Sequence, residues 1–260
     1  MPSLSELLTT FDARQGLELP DAWRQGRTAY GGILSALGVA AAIDAHAGEM
    51  PPLRSAQVAF IGPATGCLRF SPQVLREGKS VVNMGVDVHA DDALAARLML
   101  VFGRARDSVV VHDSDDRPPV KEPMAYPEFD MARMPFAPAF TANFQMRPAG
   151  GSRPLSGASQ PELLTWVRHR DASGVDPAVA LVAMADAMPP AAFTSYTAPA
   201  PISSINWSFD LLQPAPQGEW FLLRSLSQHA GDGYSSQDMQ VWDEQGRAVM
   251  RGRQSVAVFA

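Results

Sequence analysis

Within the helical segment Asp176 to Pro190, one carboxylate, Asp186, stands among apolar residues beyond the N-cap and is the first candidate for chemistry. Asp176 is a favourable N-cap, and Pro177 suits a first helical position, where no backbone N–H is needed. The Ala, Val, Leu and Met residues that follow cover every side of the helix, so it should be buried. Asp186 is costly there unless partners hold it or its pKa shifts. It is therefore a candidate general base, although a structural carboxylate, buried or reaching solvent at the helix end, explains the same pattern.

Other residue patterns point less clearly to catalysis. The sequence contains no Gly-x-Ser-x-Gly elbow, which argues against an α/β-hydrolase. Gly78-Lys79-Ser80 resembles the end of a P-loop, but Gln73 stands where its first glycine belongs and no helix signal follows. Asp44 is a second acid in a predicted helix, but the four residues after it are typical of a solvated helix end.

Metal and thiol chemistry are not predicted. The five histidines show no close pair with metal-ligand spacing; they are His46, His89, His112, His169 and His229. The one cysteine, Cys67, lies in a predicted strand, and we interpret it as a small buried residue rather than a nucleophile. A single cysteine also excludes an internal disulfide.

Composition narrows the class of protein. The chain has 260 residues, 46% of them hydrophobic, which is enough for a large core. Its net charge of −6 argues against a broad nucleic-acid surface, though not against a small basic pocket for a phosphorylated ligand. The N-terminus lacks the pattern of a signal peptide, and the longest apolar run, 33–43, is too short to cross a bilayer. We expect a cytoplasmic protein without a membrane segment.

Helix and strand signals repeat in the two halves of the chain. The first half predicts a short helix at 5–11, a strand at 17–23, an Ala-rich helix at 33–47, and strands at 54–63, 67–75, 80–89 and 95–106. The second half predicts a strand at 140–147, the helix at 176–190, and strands at 203–213, 219–229, 234–242 and 248–259. Pro63 and Pro214 end equivalent strands about 150 residues apart, which indicates an internal repeat of order and turn placement.

This repeat predicts an α+β fold of the double-hotdog type. Each unit would wrap a curved antiparallel sheet around a long helix, and the two units would pair edge to edge into one continuous sheet around two central helices. We place the first unit at 1–106 and the second at 139–260. The charged, Pro-rich segment 107–138 between them is predicted to be a surface linker.

Several short motifs, in order and spacing, carry a resemblance to a known family. The sequence resembles the acyl-CoA thioesterase II family, the double-hotdog thioesterases, over nearly its whole length. In the first half the matching motifs are Tyr30-Gly31-Gly32, Phe60-Ile61-Gly62-Pro63 and the turn 75–80. In the second half they are Trp166-Val167-Arg168, the segment 184–190, Ser204-Ile205-Asn206, Glu219-Trp220 and Gln254.

The resemblance implies hydrolysis of an acyl-CoA thioester by a water molecule that an Asp, a Thr or Ser, and a Gln hold together. Asp186 matches the Asp and Gln254 matches the Gln. Ser204 matches the hydroxyl position if the strand is anchored on Pro214, whereas anchoring on Phe209 would place Ile202 there. No metal or cofactor is implied, and assembly into a homo-oligomer stays open.

Substrate-binding residues are also expected. Gly31 and Gly32 open a helix whose N-terminal amides would suit an oxyanion, although helix entry and tight packing explain the same glycines. Arg76 and Lys79 would meet CoA phosphates, or belong to a solvated turn. The acyl chain should enter an apolar tunnel beside the central helices.

Two alternatives to a thioesterase remain. A hotdog enoyl-CoA hydratase would need a neighbouring Asp and His, for which Asp87 and His89 are the nearest pair in the sequence. The other alternative is a hotdog protein that binds acyl-CoA without hydrolysing it.

Overall fold

One continuous antiparallel sheet wraps around two apolar helices in this computed structural model, which describes residues 2–113, 116–129 and 137–259. The helices are α1 (Leu4–Thr10), α2 (Gly31–Ala45) and α3 (Pro177–Ala185). The strands of the first half are β1 (Leu17–Glu18), β2 (Arg24–Gln25), β3 (Thr28–Ala29), β4 (Leu53–Phe60), β5 (Cys67–Glu77), β6 (Val81–Ala90) and β7 (Ala93–Gly103). Those of the second half are β8 (Phe144–Gly151), β9 (Glu162–His169), β10 (Ile202–Leu211), β11 (Phe221–Gly231), β12 (Tyr234–Asp243) and β13 (Ala248–Val258).

The strand order shows how the two halves combine. It runs β1-β5-β6-β7-β4-β10-β13-β12-β11-β9-β8, so the order of the first unit is mirrored in the second. β4 and β10 pair antiparallel at the centre, with Val58 opposite Trp207, and each thereby covers the exposed edge of the other. This arrangement confirms the predicted α+β double hotdog with a shared sheet around two central helices.

The central helices form where predicted, for the predicted reasons. The Asp176 carboxylate accepts hydrogen bonds from the backbone N–H groups of Ala178 and Val179 at 2.9 and 3.1 Å, which caps α3. α3 ends at Ala185, because Asp186 is already its C-cap and Pro189-Pro190 cannot continue the helix. Most of both helices is buried, and small residues in α2 let neighbouring elements come close.

No helix in the described part of the chain combines the length and apolar character needed to cross a bilayer.

The predicted strand at 17–23 is largely wrong. It forms only the two-residue strand β1, followed by a 3₁₀ turn at Asp21–Trp23. Pro20 lies between them, and a proline cannot donate to a strand ladder.

Part of the predicted linker packs on the outer face of the second unit. Val120 and Tyr126 contact an apolar cluster that includes Trp166, and the Trp166 indole N–H donates to the Lys121 carbonyl at 3.1 Å. Asp116 also pairs with Arg251 on β13. Residues 114–115 and 130–136 of the linker lie outside the described residues, and the division into 1–106, 107–138 and 139–260 stays a prediction.

Candidate active site

Asp186 lies where the C-terminal end of α3 meets the N-terminal end of α2. Its Oδ1 accepts a hydrogen bond from the Gln254 amide of β13 at 2.9 Å. Its Oδ2 lies only 2.7 Å from the position that a Cβ on Gly31 would occupy, so any side chain there would collide with the carboxylate. The site therefore combines a carboxylate and an amide from the second unit with the helix N-terminus of the first.

The electrostatics around Asp186 suit a base at neutral pH. Burial raises its pKa from 3.8 to about 7, and hydrogen bonds from Gln254 and from the Gly32 backbone N–H limit the rise. The N-terminus of α2 also favours negative charge, which offsets the unfavourable end of the α3 dipole. A pKa near the operating pH suits a general base.

Tyr30 adjoins this carboxylate; the sequence analysis places it in the Tyr30-Gly31-Gly32 motif but gives it no role at the site. Its hydroxyl donates to the Ala183 carbonyl of α3 at 3.0 Å, and its ring stacks on Phe140 at a centroid distance of 3.8 Å. Burial, followed by the charge of Asp186, raises the Tyr30 pKa well above its usual value of 10, so the phenol stays neutral.

Ser204 reaches the same cavity as Asp186 and Gln254 through a β-bulge. On β10, Trp207 pairs with Gln254 and Ser204 pairs with Val256, and the register shifts at Ile205 between them. Opposed residues on paired strands share a face, so the extra residue turns Ser204 inward although it lies three positions from Trp207. Ile202 lines the cavity as well, but it lies further from Gln254 along the strand and has no hydroxyl.

Gly31 and Gly32 both permit a close approach. A Cβ on Gly32 would lie 2.5 Å from the Tyr30 hydroxyl oxygen and 2.7 Å from the Ala183 carbonyl oxygen, so only glycine fits between α2 and α3. The sequence analysis predicts that the Gly32 N–H binds a substrate oxyanion. In the structure this N–H already donates to Asp186. Gly31, at the first position of α2, lines the cavity and carries an N–H without an intrahelical acceptor.

Arg76 and Lys79 do not line this cavity, and their contact with the CoA phosphates stays a prediction. They flank the β5–β6 turn, where Glu77 lies 3.4 Å from His46, just beyond the C-terminal end of α2. Asp186 lies at the other end of this 15-residue helix, roughly 20 Å away at 1.5 Å per residue. A local turn motif did not reveal which end of the helix it would adjoin.

Two other arginines flank the cavity. Arg27 lies in the β2–β3 turn between Gln25 and Thr28, which both line the cavity, and Arg153 immediately precedes the lining residue Pro154. Both guanidinium groups are exposed, and neither has a hydrogen-bond or ion-pair partner within the described ranges.

The cavity itself has a volume of about 700 Å³ and a mainly apolar wall. Asp186, Ser204 and Gln254 lie on the wall together with the large apolar residues Leu34, Phe60, Phe140, Met188, Phe193 and Ile202. An apolar cavity with a few polar groups on its wall is the usual form of a small-molecule site, and this cavity lies beside the central helices as expected.

The competing acids lack such surroundings. Asp44 is exposed near the end of α2, beside a smaller cavity of about 410 Å³. Asp87 accepts two hydrogen bonds from Arg97, at 2.6 and 2.7 Å, on the outer face of the sheet. That ion pair lowers the pKa of Asp87 and keeps it away from the cavity, so the structure does not favour a hydratase pair with His89.

No group of three or more His, Cys, Asp or Glu side chains suited to a metal ion occurs among residues 2–113, 116–129 and 137–259.

Two protein-family models match most of the chain. Residues 19–103 match the family model of an acyl-CoA thioesterase N-terminal domain, and residues 114–258 match that of an acyl-CoA thioesterase C-terminal domain. A sequence search of curated proteins gives no match.

Solved structures share the fold over almost the whole chain. One is a conserved protein of unknown function with a hot dog fold from Alicyclobacillus acidocaldarius, with 21% identity and a TM-score of 0.83, covering 96% of this chain and 95% of that one. A putative thioesterase II from Thermobifida fusca YX has 19% identity and a TM-score of 0.81, covering 96% and 94%. The tesB protein of Mycobacterium avium subs paratuberculosis has 19% identity and a TM-score of 0.78, covering 99% and 100%. At these identities the likeness shows the fold alone.

Proposed function

The chain belongs to the acyl-CoA thioesterase family, and on that basis we propose that it hydrolyses an acyl-CoA thioester to a free carboxylic acid and CoA. The observation that carries the proposal is the Asp186 carboxylate, hydrogen-bonded to Gln254 at the N-terminus of α2 and opening onto an apolar cavity. A thioester is activated enough for an oriented, partly deprotonated water to attack it.

The proposed mechanism uses one water molecule and no cofactor. Asp186 takes a proton from the water while the oxygen attacks the thioester carbonyl carbon. Gln254 and Ser204 orient the water and the carboxylate, because amides and hydroxyls offer both donors and acceptors. The carbonyl oxygen becomes negative beside the first turn of α2, where we place the Gly31 N–H as a donor. The C–S bond then breaks, and the proton held by Asp186 passes to the CoA sulfur.

The cavity and its edge supply the two halves of substrate recognition. The apolar wall takes the acyl chain, with Leu34 and Phe140 among its large residues. Arg27 and Arg153 replace Arg76 and Lys79 as the cations that meet the phosphates of CoA, because they flank the cavity and have free guanidinium groups.

Thiol release from a panel of acyl-CoA esters tests this function, with Asp186→Asn and Asp44→Asn as a matched pair. We expect Asp186→Asn to lower kcat by about 10²- to 10⁴-fold, the usual contribution of a general base, and Asp44→Asn to leave it unchanged. Binding of acyl-CoA without thiol release would instead identify a non-catalytic binding protein. Full turnover by Asp186→Asn would remove Asp186 from the mechanism.

A further inference from the structure

Two buried glutamines, Gln237 on β12 and Gln254 on β13, lie directly opposite each other in the sheet, with exposed fractions of 2% and 1%. The Gln237 Nε2 group donates to Gln254 Oε1 at 2.7 Å, and Gln254 Nε2 donates to Asp186 Oδ1 at 2.9 Å. At the other end, Gln237 Oε1 accepts from the backbone N–H of Ala191 at 2.7 Å. The four groups form an unbroken chain of hydrogen bonds.

The direction of this chain is determined by its first member. A backbone N–H can only donate, so the Gln237 atom that faces Ala191 must be the carbonyl oxygen. The remaining end of Gln237 is then its NH₂ group, which requires the Gln254 oxygen to face it. Gln254 is left with its NH₂ group toward Asp186, the orientation that stabilises a carboxylate.

We propose that Gln237 is a positioning residue that fixes which end of the Gln254 amide faces Asp186, and so keeps this carboxylate ready to accept a proton. Its importance for turnover rests on the proposed function, whereas the orientation itself does not. Without Gln237, the side-chain amide of Gln254 can rotate so that its oxygen, rather than its NH₂ group, faces Asp186. That arrangement favours the protonated acid, which cannot act as a base.

The groups around Asp186 make this effect measurable. Tyr30, the N-cap residue of α2, is the titratable group that faces Asp186 from this helix, and it stays neutral. The hydrogen bonds that hold down the Asp186 pKa come from Gln254 and Gly32, so loss of the first should raise that pKa visibly.

The test is an NMR titration of the Asp186 carboxyl carbon in the full chain, which needs no substrate. In Gln237→Met the midpoint should rise by about one pH unit, the size expected when a charged acceptor loses a hydrogen bond. The pKa that describes the acid limb of the pH profile of kcat/KM should rise by the same amount. Gln240→Met is the control, because Gln240 lies on the same strand but its amide binds Asp116 on the outer face.

Two further variants separate positioning from general damage. Gln237→Ala leaves space for water, which can satisfy both neighbours but imposes no direction on them, so the midpoint should still rise. In a Gln254→Met background, Gln237→Met should add no further shift, because the relay acts only through Gln254. An unchanged midpoint in Gln237→Met and Gln237→Ala, or additive shifts in the double variant, would overturn the proposal. Absence of thiol release from wild type would count against the function alone.

Discussion

Asp186 holds its proton in the folded chain up to about pH 7, whereas an unfolded aspartate releases it near 3.8. Between these values the folded state binds more protons, so the free energy of unfolding falls as pH rises. His169 has the opposite effect. Burial lowers its pKa from 6.5 to about 4, so between those values the unfolded chain binds more protons and stability rises with pH.

The contributions of Asp186 and His169 to the pH dependence of the free energy of unfolding should nearly cancel between pH 4 and 6.5. A shift of about three units at Asp186 corresponds to at most about 4 kcal/mol, and the His169 shift to at most about 3 kcal/mol. We expect the free energy of unfolding of Asp186→Asn to increase as pH rises from 4 to 6.5, because of these two groups only His169 is then left. His169→Phe should lose stability over the same range. Urea unfolding across this pH series measures both, and variant curves parallel to wild type would contradict the assignment.

At the scale of secondary-structure elements, the bulge at Ile205 places Ser204 on the same face of the sheet as Gln254. Ser204→Ala should lower kcat on the order of tenfold, the effect of one lost neutral hydrogen bond, and Ser204→Thr should retain activity. Ser208→Ala is the control, because Ser208 lies exposed on the same strand. Steady-state thiol release compares the three. Wild-type turnover by Ser204→Ala would show that another group orients the water.

Besides the bulge at Ile205, the loop between β8 and β9 contains a second unusual backbone position. Leu155 lines the cavity and has a φ of 60°, in the left-handed region that costs a non-glycine residue about 1–2 kcal/mol. Its N–H donates to the Phe193 carbonyl at 3.0 Å, which holds the loop in place.

Substitution of Leu155 separates backbone strain from cavity size. Leu155→Gly and Leu155→Ala both enlarge the cavity, and both should shift the preferred acyl-CoA toward longer or bulkier chains. Only glycine relieves the backbone, so it should be the more stable variant by about 1 kcal/mol. Chemical denaturation and the acyl-CoA panel measure the two effects. An unchanged acyl preference would remove Leu155 from the substrate-binding wall.

At the scale of the whole molecule, the two ends of the central helices differ in what they can bind. Arg27 and Arg153 adjoin the Asp186 end, whereas Arg76 and Lys79 adjoin the other. The double variant Arg27→Ala/Arg153→Ala should raise KM for acyl-CoA with kcat unchanged, as expected for loss of uniform binding. The effect should shrink at high salt. Arg76→Ala/Lys79→Ala is the matched control, and a rise in KM confined to that pair would reverse the assignment.

The sequence predicts most of the fold and three residues that lie together in the candidate site, for identifiable reasons. Helices that are apolar all round, strands with alternating burial and regularly placed turns determine the repeat, and Asp186 is detectable as a conflict within a consistent helix. The bulge at Ile205 depends on pairing with β13, which a single strand does not reveal. Gln237 occupies an inward position of an alternating strand, a signal that could have identified it. The sequence does not predict that residues 116–129 pack on the second unit, because charged residues and prolines interrupt their apolar residues.

The hydrogen-bond chain at the active site begins at the main chain of residue 191, and this has a consequence for its evolution. Every amino acid except proline supplies that N–H, so drift at this position leaves the polarity of the site intact. Only the two glutamines need to be retained by selection. Natural variation across such proteins should therefore be restricted at 191 by the size of the side chain, because Ala191 is fully buried, and should exclude the imino acid, although two prolines directly precede it.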